Sequence, residues 1–282
     1  MSARPPGRRL RSPAGRTRGP VKAVTFDVGN TLFPFRRREM DDLLAGFASF
    51  VVRRVGPCDP ERVIARYNEV RQAQYRVNLP HLRENDLVER VRLTLDETGR
   101  EVGPELLGEA MEAYIACLVR ALPLPESVPP VLHRLSRDYT LGVITNYPYS
   151  PGTRRLLAGS GLDRFFRTVV ISADWGFVKP HPLLFREAAR GLGVEPGALV
   201  HVGDDWEADV IGAARAGARS VYFTGLRDEP DPLRDNPEGR PLAVVDDLAR
   251  LPEVLAGLGT GPPLPERQET RAVTGRPAAS RR

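Results

Sequence analysis

Asp27, Thr145, Lys179, Asp204, Asp205 and Asp209 are the residues whose types and settings could do chemistry, because each closely follows a short hydrophobic run. A carboxylate at the C-terminal end of a buried strand sits where open α/β sheets bind their ligands. Asp27, after Val24-Thr25-Phe26, could attack phosphorus or carbon and form a covalent aspartyl intermediate. In the turn that follows, Gly29 permits close approach of backbone N–H groups to a phosphate, and Asn30 reads as a further substrate contact. Thr145 and Asn146, after Leu141-Gly142-Val143-Ile144, could donate to a phosphoryl oxygen in the transition state. Lys179 is one of only two lysines, against 39 arginines. Its compact ammonium could bridge the nucleophile and a phosphate oxygen where a planar guanidinium would fit less well. The run Gly203-Asp204-Asp205-Trp206-Glu207-Ala208-Asp209 crowds carboxylates that repel one another unless a cation or hydrogen bonds hold them. A hard divalent ion resolves the conflict, and Mg²⁺ suits a few carboxylates plus water and phosphate. The expected oxygen ligands are Asp27, the Gly29 carbonyl and Asp204, with Asp209 as the outer member of the metal group and Asp205 open between the two roles. Each residue also has a plainer reading: helix cap for Asp27, turn residue for Thr145, surface lysine for Lys179.

The elements that must position these groups follow from hydrophobic period. Val21–Phe26 reads as a central strand because its apolar character is nearly unbroken. From Glu39 to about Leu122 the pattern is helical. Met40, Leu43, Leu44, Phe47 and Phe50-Val51 recur until Gly56-Pro57, and Asp59-Pro60 opens a second helix with a cap and a proline in the first turn. Leu87, Val91 and Leu95 continue to Gly99, and a further helix spans 104–119. Pro123, Pro125, Pro129 and Pro130 mark a return linker. Then come a helix at 131–135, a strand at 140–145, and an alternation of strands (168–172, 199–202, 220–223, 243–246) with helices (182–191, 205–216, 248–255). Short hydrophobic strands separated by helices give βαβ units and a mostly parallel sheet, so the fold class is α/β. The helical insert after the first strand is a lid or cap candidate.

Composition narrows the class further. With 41% hydrophobic and 27% charged residues the chain has the make-up of a soluble globular protein. The net charge of +5 comes from the start of the chain: residues 1–26 hold seven basic residues and no acid, leaving the remainder near −2. Nothing in the body therefore argues for a specific nucleic-acid partner. No apolar run approaches the length of a membrane span, and the first 20 residues, lacking an apolar stretch, do not read as a secretory signal. Isolated Cys58 and Cys117 read as free thiols of a reducing cytoplasm. The expected organisation is a basic tail at 1–20, an α/β core at 21–35 and 123–256, a helical cap at 36–122, and a second tail at 257–282.

Taken in order, Phe26-Asp27…Thr31-Leu32-Phe33, Thr145, Lys179-Pro180 and Gly203-Asp204 with Asp209 resemble the haloacid dehalogenase-like hydrolase superfamily. The resemblance covers roughly residues 21–256. It implies a Rossmann-like core with an inserted all-helical cap of the subclass I kind. It further implies that Asp27 is the nucleophile, that Thr145 binds phosphate, that Lys179 orients it, and that Asp204 and Asp209 complete a magnesium site. The implied substrate is a small phosphorylated molecule, with no membrane partner; oligomeric state is open.

One element of the family pattern differs. Its phosphatases carry a second aspartate two residues after the nucleophile, to protonate the leaving group, and here that position is Gly29. Three readings stay open: a phosphatase whose proton comes from elsewhere or whose leaving group needs none, dehalogenase-type hydrolysis, or a phosphate- or partner-binding protein with little catalysis. The dehalogenases use no metal and lack the Gly-Asp arrangement found at 203–204. A Schiff-base phosphonatase route needs a cap lysine, and residues 34–125 contain none. Among other polar and aromatic residues, His201 reads as a satisfied core histidine, His181 as a helix-start residue and Trp175 as loop packing. Arg36, Arg37 and Arg38 are expected near the cleft mouth, while Tyr67, Tyr75 and His81 lack an assigned direction.

Overall fold

The computed structural model describes residues 19–258 apart from 57, 230, 232, 233 and 235. The two expected tails lie outside the described residues, save for 19–20 and 257–258. One parallel sheet of six strands runs in the order β3-β2-β1-β4-β5-β6. Its strands are β1 (Ala23–Phe26), β2 (Thr140–Thr145), β3 (Phe166–Ile171), β4 (Leu199–Gly203), β5 (Arg219–Phe223) and β6 (Val244–Val245). Phe26 pairs with Val143 on one side and Val202 on the other, so the ends of β1, β2 and β4 lie level. The strand order reverses beside β1, and that is where an open α/β sheet forms its crevice.

Every residue of β1 is buried, and both its faces are covered, which explains the absence of polar alternation. Val24 and Phe26 join Leu141, Val143, Val200 and Val202 in one core. Ala23 faces the other way, onto Leu184, Phe185 and Ala188 of the helix Pro182–Leu192.

Among the described residues, the first four of the five α-helices between β1 and β2 are α1 (Arg37–Val55), α2 (Pro60–Asn78), α3 (Leu87–Leu95) and α4 (Pro104–Ala121). Asp59 accepts the Glu61 N–H and Asp86 the Glu89 N–H, so two of the helix starts carry side-chain caps. Phe47 of α1 meets Tyr114 of α4 edge-on, with ring centroids 5.5 Å apart. The apolar faces of α1 and α4 belong to the same core cluster as Val24 and Phe26.

The remaining helices are α5 (Val128–Leu135), α6 (Ser150–Gly159), α7 (Ser172–Trp175), α8 (Pro182–Leu192), α9 (Gly212–Arg215) and α10 (Leu251–Ala256). Four differ from the sequence reading. One is α7, which takes up Trp175 where a loop is expected. Pro129 and Pro130 belong to α5 rather than to a linker, because the first helical turn needs no N–H donors. The reading gave no helix at α6, whose Leu156-Leu157 is too short an apolar signal and whose Pro151 and Gly152 resemble a loop. The single helix expected at 205–216 is a π-helical turn, Trp206–Ile211, followed by α9; such wide turns are frequent at functional sites. No described helix is long and apolar enough to cross a membrane.

Candidate active site

A cleft of about 240 Å³ opens at the C-terminal edge of the sheet, lined at its floor by Asp27, Thr145, Lys179, Asp204 and Asp209. Asp27 follows β1 directly, and its backbone N–H donates to the Val202 carbonyl at 2.9 Å, so the ladder to β4 fixes the residue. Lys179 approaches from the loop after β3. Its Nζ lies 2.7 Å from Asp27 Oδ1, 2.6 Å from Asp209 Oδ1 and 3.1 Å from the Ile144 carbonyl. An ammonium has three N–H groups, and these contacts use all of them.

Asn146 holds the main chain of Lys179 from both sides. Its Oδ1 accepts the Lys179 N–H at 2.7 Å, and its Nδ2 donates to the Lys179 carbonyl at 3.2 Å. The residue expected as a substrate donor is thus also the clamp of the lysine. Asn30 also lines the cleft, but its Oδ1 accepts the Phe35 N–H at 2.8 Å, closing the turn after Asp27. Its φ of 51° lies in the left-handed region, which asparagine enters more readily than most residues.

Asp209 has both oxygens engaged. Oδ1 meets Lys179 and also His201 Nε2 at 2.9 Å, while Oδ2 accepts the Asp205 N–H at 3.0 Å. It therefore anchors the lysine. Gly203 makes this possible: a Cβ there would collide with the Asp209 carboxylate. His201 is fully buried, and burial holds its pKa below the ordinary value. A neutral ring with its proton on Nε2 donates to Asp209 and leaves Nδ1 to accept the Thr25 hydroxyl at 3.0 Å. The core histidine of the sequence reading is satisfied, and it also steadies the site.

Charge in this cleft is unevenly compensated. Burial works against the ammonium of Lys179, yet Asp209 and Asp27 outweigh it and hold the group charged. Burial would also raise Asp209, but Lys179 and His201 pull it well below the usual carboxylate range. Asp27 is shifted upward, chiefly by burial and despite Lys179. Asp204 is pushed up to about 8, by burial first and then by Asp27 and Asp209.

Arg227 is the functional candidate that sequence reasoning missed. It lies in the loop after β5, lines the cleft, and donates from Nη1 to both Asp204 Oδ2 and the Asp204 carbonyl at 2.9 Å. Its place just beyond a strand end was the available signal. Asp205 caps the π-helical turn through the Ala208 N–H at 2.7 Å. Arg36 pairs with Glu39 and Asp228, His181 caps α8 and stacks on Phe177, and the Tyr67 hydroxyl meets that of Tyr114.

Ligand oxygens of Asp27, Asp204 and Asp209 lie within 4.8 Å of one another, and all three residues are buried. This all-oxygen donor set fits a hard divalent ion. The upward shift of Asp204 fits as well, since Arg227 alone does not offset its burial and the repulsion of Asp27 and Asp209.

A doubly wound parallel sheet, helices inserted after its first strand, and an aspartate–lysine–aspartate cluster at the strand ends define a haloacid dehalogenase-like hydrolase. The family model of that description matches residues 21–217, and the chain belongs to this family. Among its relatives, the glyceraldehyde 3-phosphate phosphatase of Methanopyrus kandleri is 30% identical over 218 residues, covering 77% of this chain and 90% of the relative. The phosphoserine phosphatase of Thermus thermophilus is 31% identical over 249 residues, covering 81% and 96% respectively. Among solved structures, the 2-haloacid dehalogenase of Pseudomonas syringae pv. Tomato DC3000 superposes with a TM-score of 0.65 at 28% identity, covering 84% of this chain and 99% of that one.

Proposed function

We propose that this hydrolase is a magnesium-dependent phosphatase acting on a small phosphate ester or anhydride with a weakly basic leaving group. The observation that carries the reading is the buried contact of Asp27 with Lys179, itself held by Asp209, at the floor of a cleft. Phosphatase relatives spanning most of the chain support it. Asp27 attacks phosphorus, the bond to the leaving oxygen breaks with its electron pair, and an aspartyl phosphate forms. Water then attacks phosphorus, the bond from phosphorus to the Asp27 oxygen breaks to regenerate the carboxylate, and phosphate leaves while the proton of the water passes to it or to solvent. Lys179 favours the ionised form of Asp27 against the upward push of burial, and fixes its direction. Asp27, Asp204 and the Gly29 carbonyl would hold the ion, which when bound supplies positive charge to the phosphoryl oxygens.

Phe33, Phe35, Leu118, Leu122 and Leu156 form the apolar part of the cleft lining, which would receive the leaving group under a cap formed by α1–α4. These five side chains carry no proton donor; Thr153 and Tyr147 also line the cleft, and burial raises the Tyr147 hydroxyl far above its ordinary pKa, which makes it a poor acid. With Gly29 at the position of the family's acid, substrates whose leaving groups depart unprotonated are favoured.

p-Nitrophenyl phosphate provides the test because its leaving group needs no proton. Turnover should require Mg²⁺ and fall by at least about 10³ in Asp27→Asn. Unchanged turnover in that variant would remove Asp27 as the nucleophile, and Mg²⁺-independent halide release from a 2-haloacid would favour the dehalogenase reading.

A further inference from the structure

Lys179 cannot contact substrate without giving up a bond to Asp27, Asp209 or Ile144, since each of its N–H groups is committed. The other cation lining the cleft is less firmly bound. Arg227 meets Asp204 through Nη1 alone, whereas a full guanidinium–carboxylate pair uses two parallel N–H bonds. Its Nε donates to the Glu229 carbonyl at 3.2 Å, and Nη1 lies 3.8 Å from Asp231 Oδ2. Among the described residues, Nη2 makes no hydrogen bond. The side chain is about a quarter exposed and lines the same cleft as Asp27 and Lys179.

Two features of this arrangement point the same way. The Asp204 oxygen that takes Arg227 belongs to the carboxylate best placed to hold a divalent ion, so guanidinium and metal compete for one group. The Asp204 and Glu229 carbonyls hold Arg227 independently of the Asp204 carboxylate, so a change of partner at that carboxylate leaves the guanidinium in the cleft lining. There its planar fork suits a phosphoryl or carboxylate oxygen.

Resting on the phosphatase reading, we propose that Arg227 is an exchangeable cation of this site: it pairs with Asp204 until a divalent ion takes that carboxylate, and then binds the anionic group of the substrate. Metal and substrate binding are thereby coupled, because the ion frees the residue that grips the phosphate.

Calorimetric titration separates the parts of this proposal. Wild type, Arg227→Ala and Arg227→Lys are titrated with Mg²⁺, and then with inorganic phosphate at saturating Mg²⁺, after thermal melts establish that each variant is folded. Removing one charge-assisted competitor should tighten Mg²⁺ binding to Arg227→Ala by about tenfold. Phosphate binding to the same variant should weaken by about tenfold. Arg227→Lys, which keeps the charge without the planar fork, should fall between the two in both titrations. If only this second variant folds, a wild-type response from it overturns the proposal. Unchanged or weaker Mg²⁺ binding in Arg227→Ala overturns it also, as does unchanged phosphate affinity. A wild-type protein that takes up no Mg²⁺ would overturn the metal-dependent reading itself, whereas wild-type uptake with no response to the variants removes only the role of Arg227.

Discussion

Gly29 shows how little steric obstacle separates this site from one with a built-in acid. A Cβ at this position would meet only Phe35, at 3.5 and 3.6 Å, which is ordinary contact, and the backbone there does not take a positive φ. Gly29→Asp should therefore fold and place a carboxyl in the cleft. General acid catalysis supplies about 10²–10⁴ in rate, so turnover of an alkyl phosphate should rise by about tenfold or more, with little change on p-nitrophenyl phosphate. Equal changes on both substrates would show that proton transfer to the leaving group is not what this chain lacks. Lys179→Met, by contrast, leaves Asp27 and Asp209 facing each other without their cation. Breaking a buried pair costs about 3–5 kcal/mol, to be read as lowered stability to urea together with loss of turnover.

At the level of elements, the strand ends decide the site. Gly203 closes β4 so that Asp209 can fold back over it, and Gly203→Ala should displace that carboxylate and cost about 1–3 kcal/mol by overpacking. A variant with unaltered stability and turnover would show that the π-helical turn adjusts freely. Strand ends were also the most legible part of the sequence. A run such as Leu141–Ile144 followed by Thr145 marks its own edge, and the bounds of β2 follow from it. The wide turn after β4 was not legible, because the period of Trp206, Val210 and Ile211 resembles an ordinary helix and only packing against the strand end sets its pitch. Partners of side chains were legible least. Asn146 was read from its strand-end position as a substrate donor, but its hold on Lys179 spans 33 residues of sequence. Arg227 was one arginine among many until the fold brought it to the cleft.

For the molecule as a whole, unbalanced charge in the cleft should make stability fall with rising pH. Asp204 has an ordinary value of 3.8 and a folded value of about 8. Across that interval the folded state holds a proton that the unfolded chain has lost, so stability declines as pH rises. His201 acts oppositely, but its effect is complete above its ordinary 6.5. Without added metal, raising the pH from 6.5 to 8 should cost up to about 2 kcal/mol, which thermal melts would read as a fall of several degrees. Mg²⁺ or Asp204→Asn should flatten the dependence, and a slope that survives both would place its source elsewhere. One core cluster spans the sheet and the inserted helices, so these melts should show a single transition.

The bonds that secure Asp27, the proposed nucleophile, make a closed circuit. They leave β1 at Thr25, pass through His201, Asp209 and Lys179, and return to the same segment at Asp27. Ring closure, rather than stiffness of the surrounding loops, sets where Asp27 points. The loops and helices around the rim are thus free to change in composition or to move with different substrates, while the reacting oxygen keeps its aim.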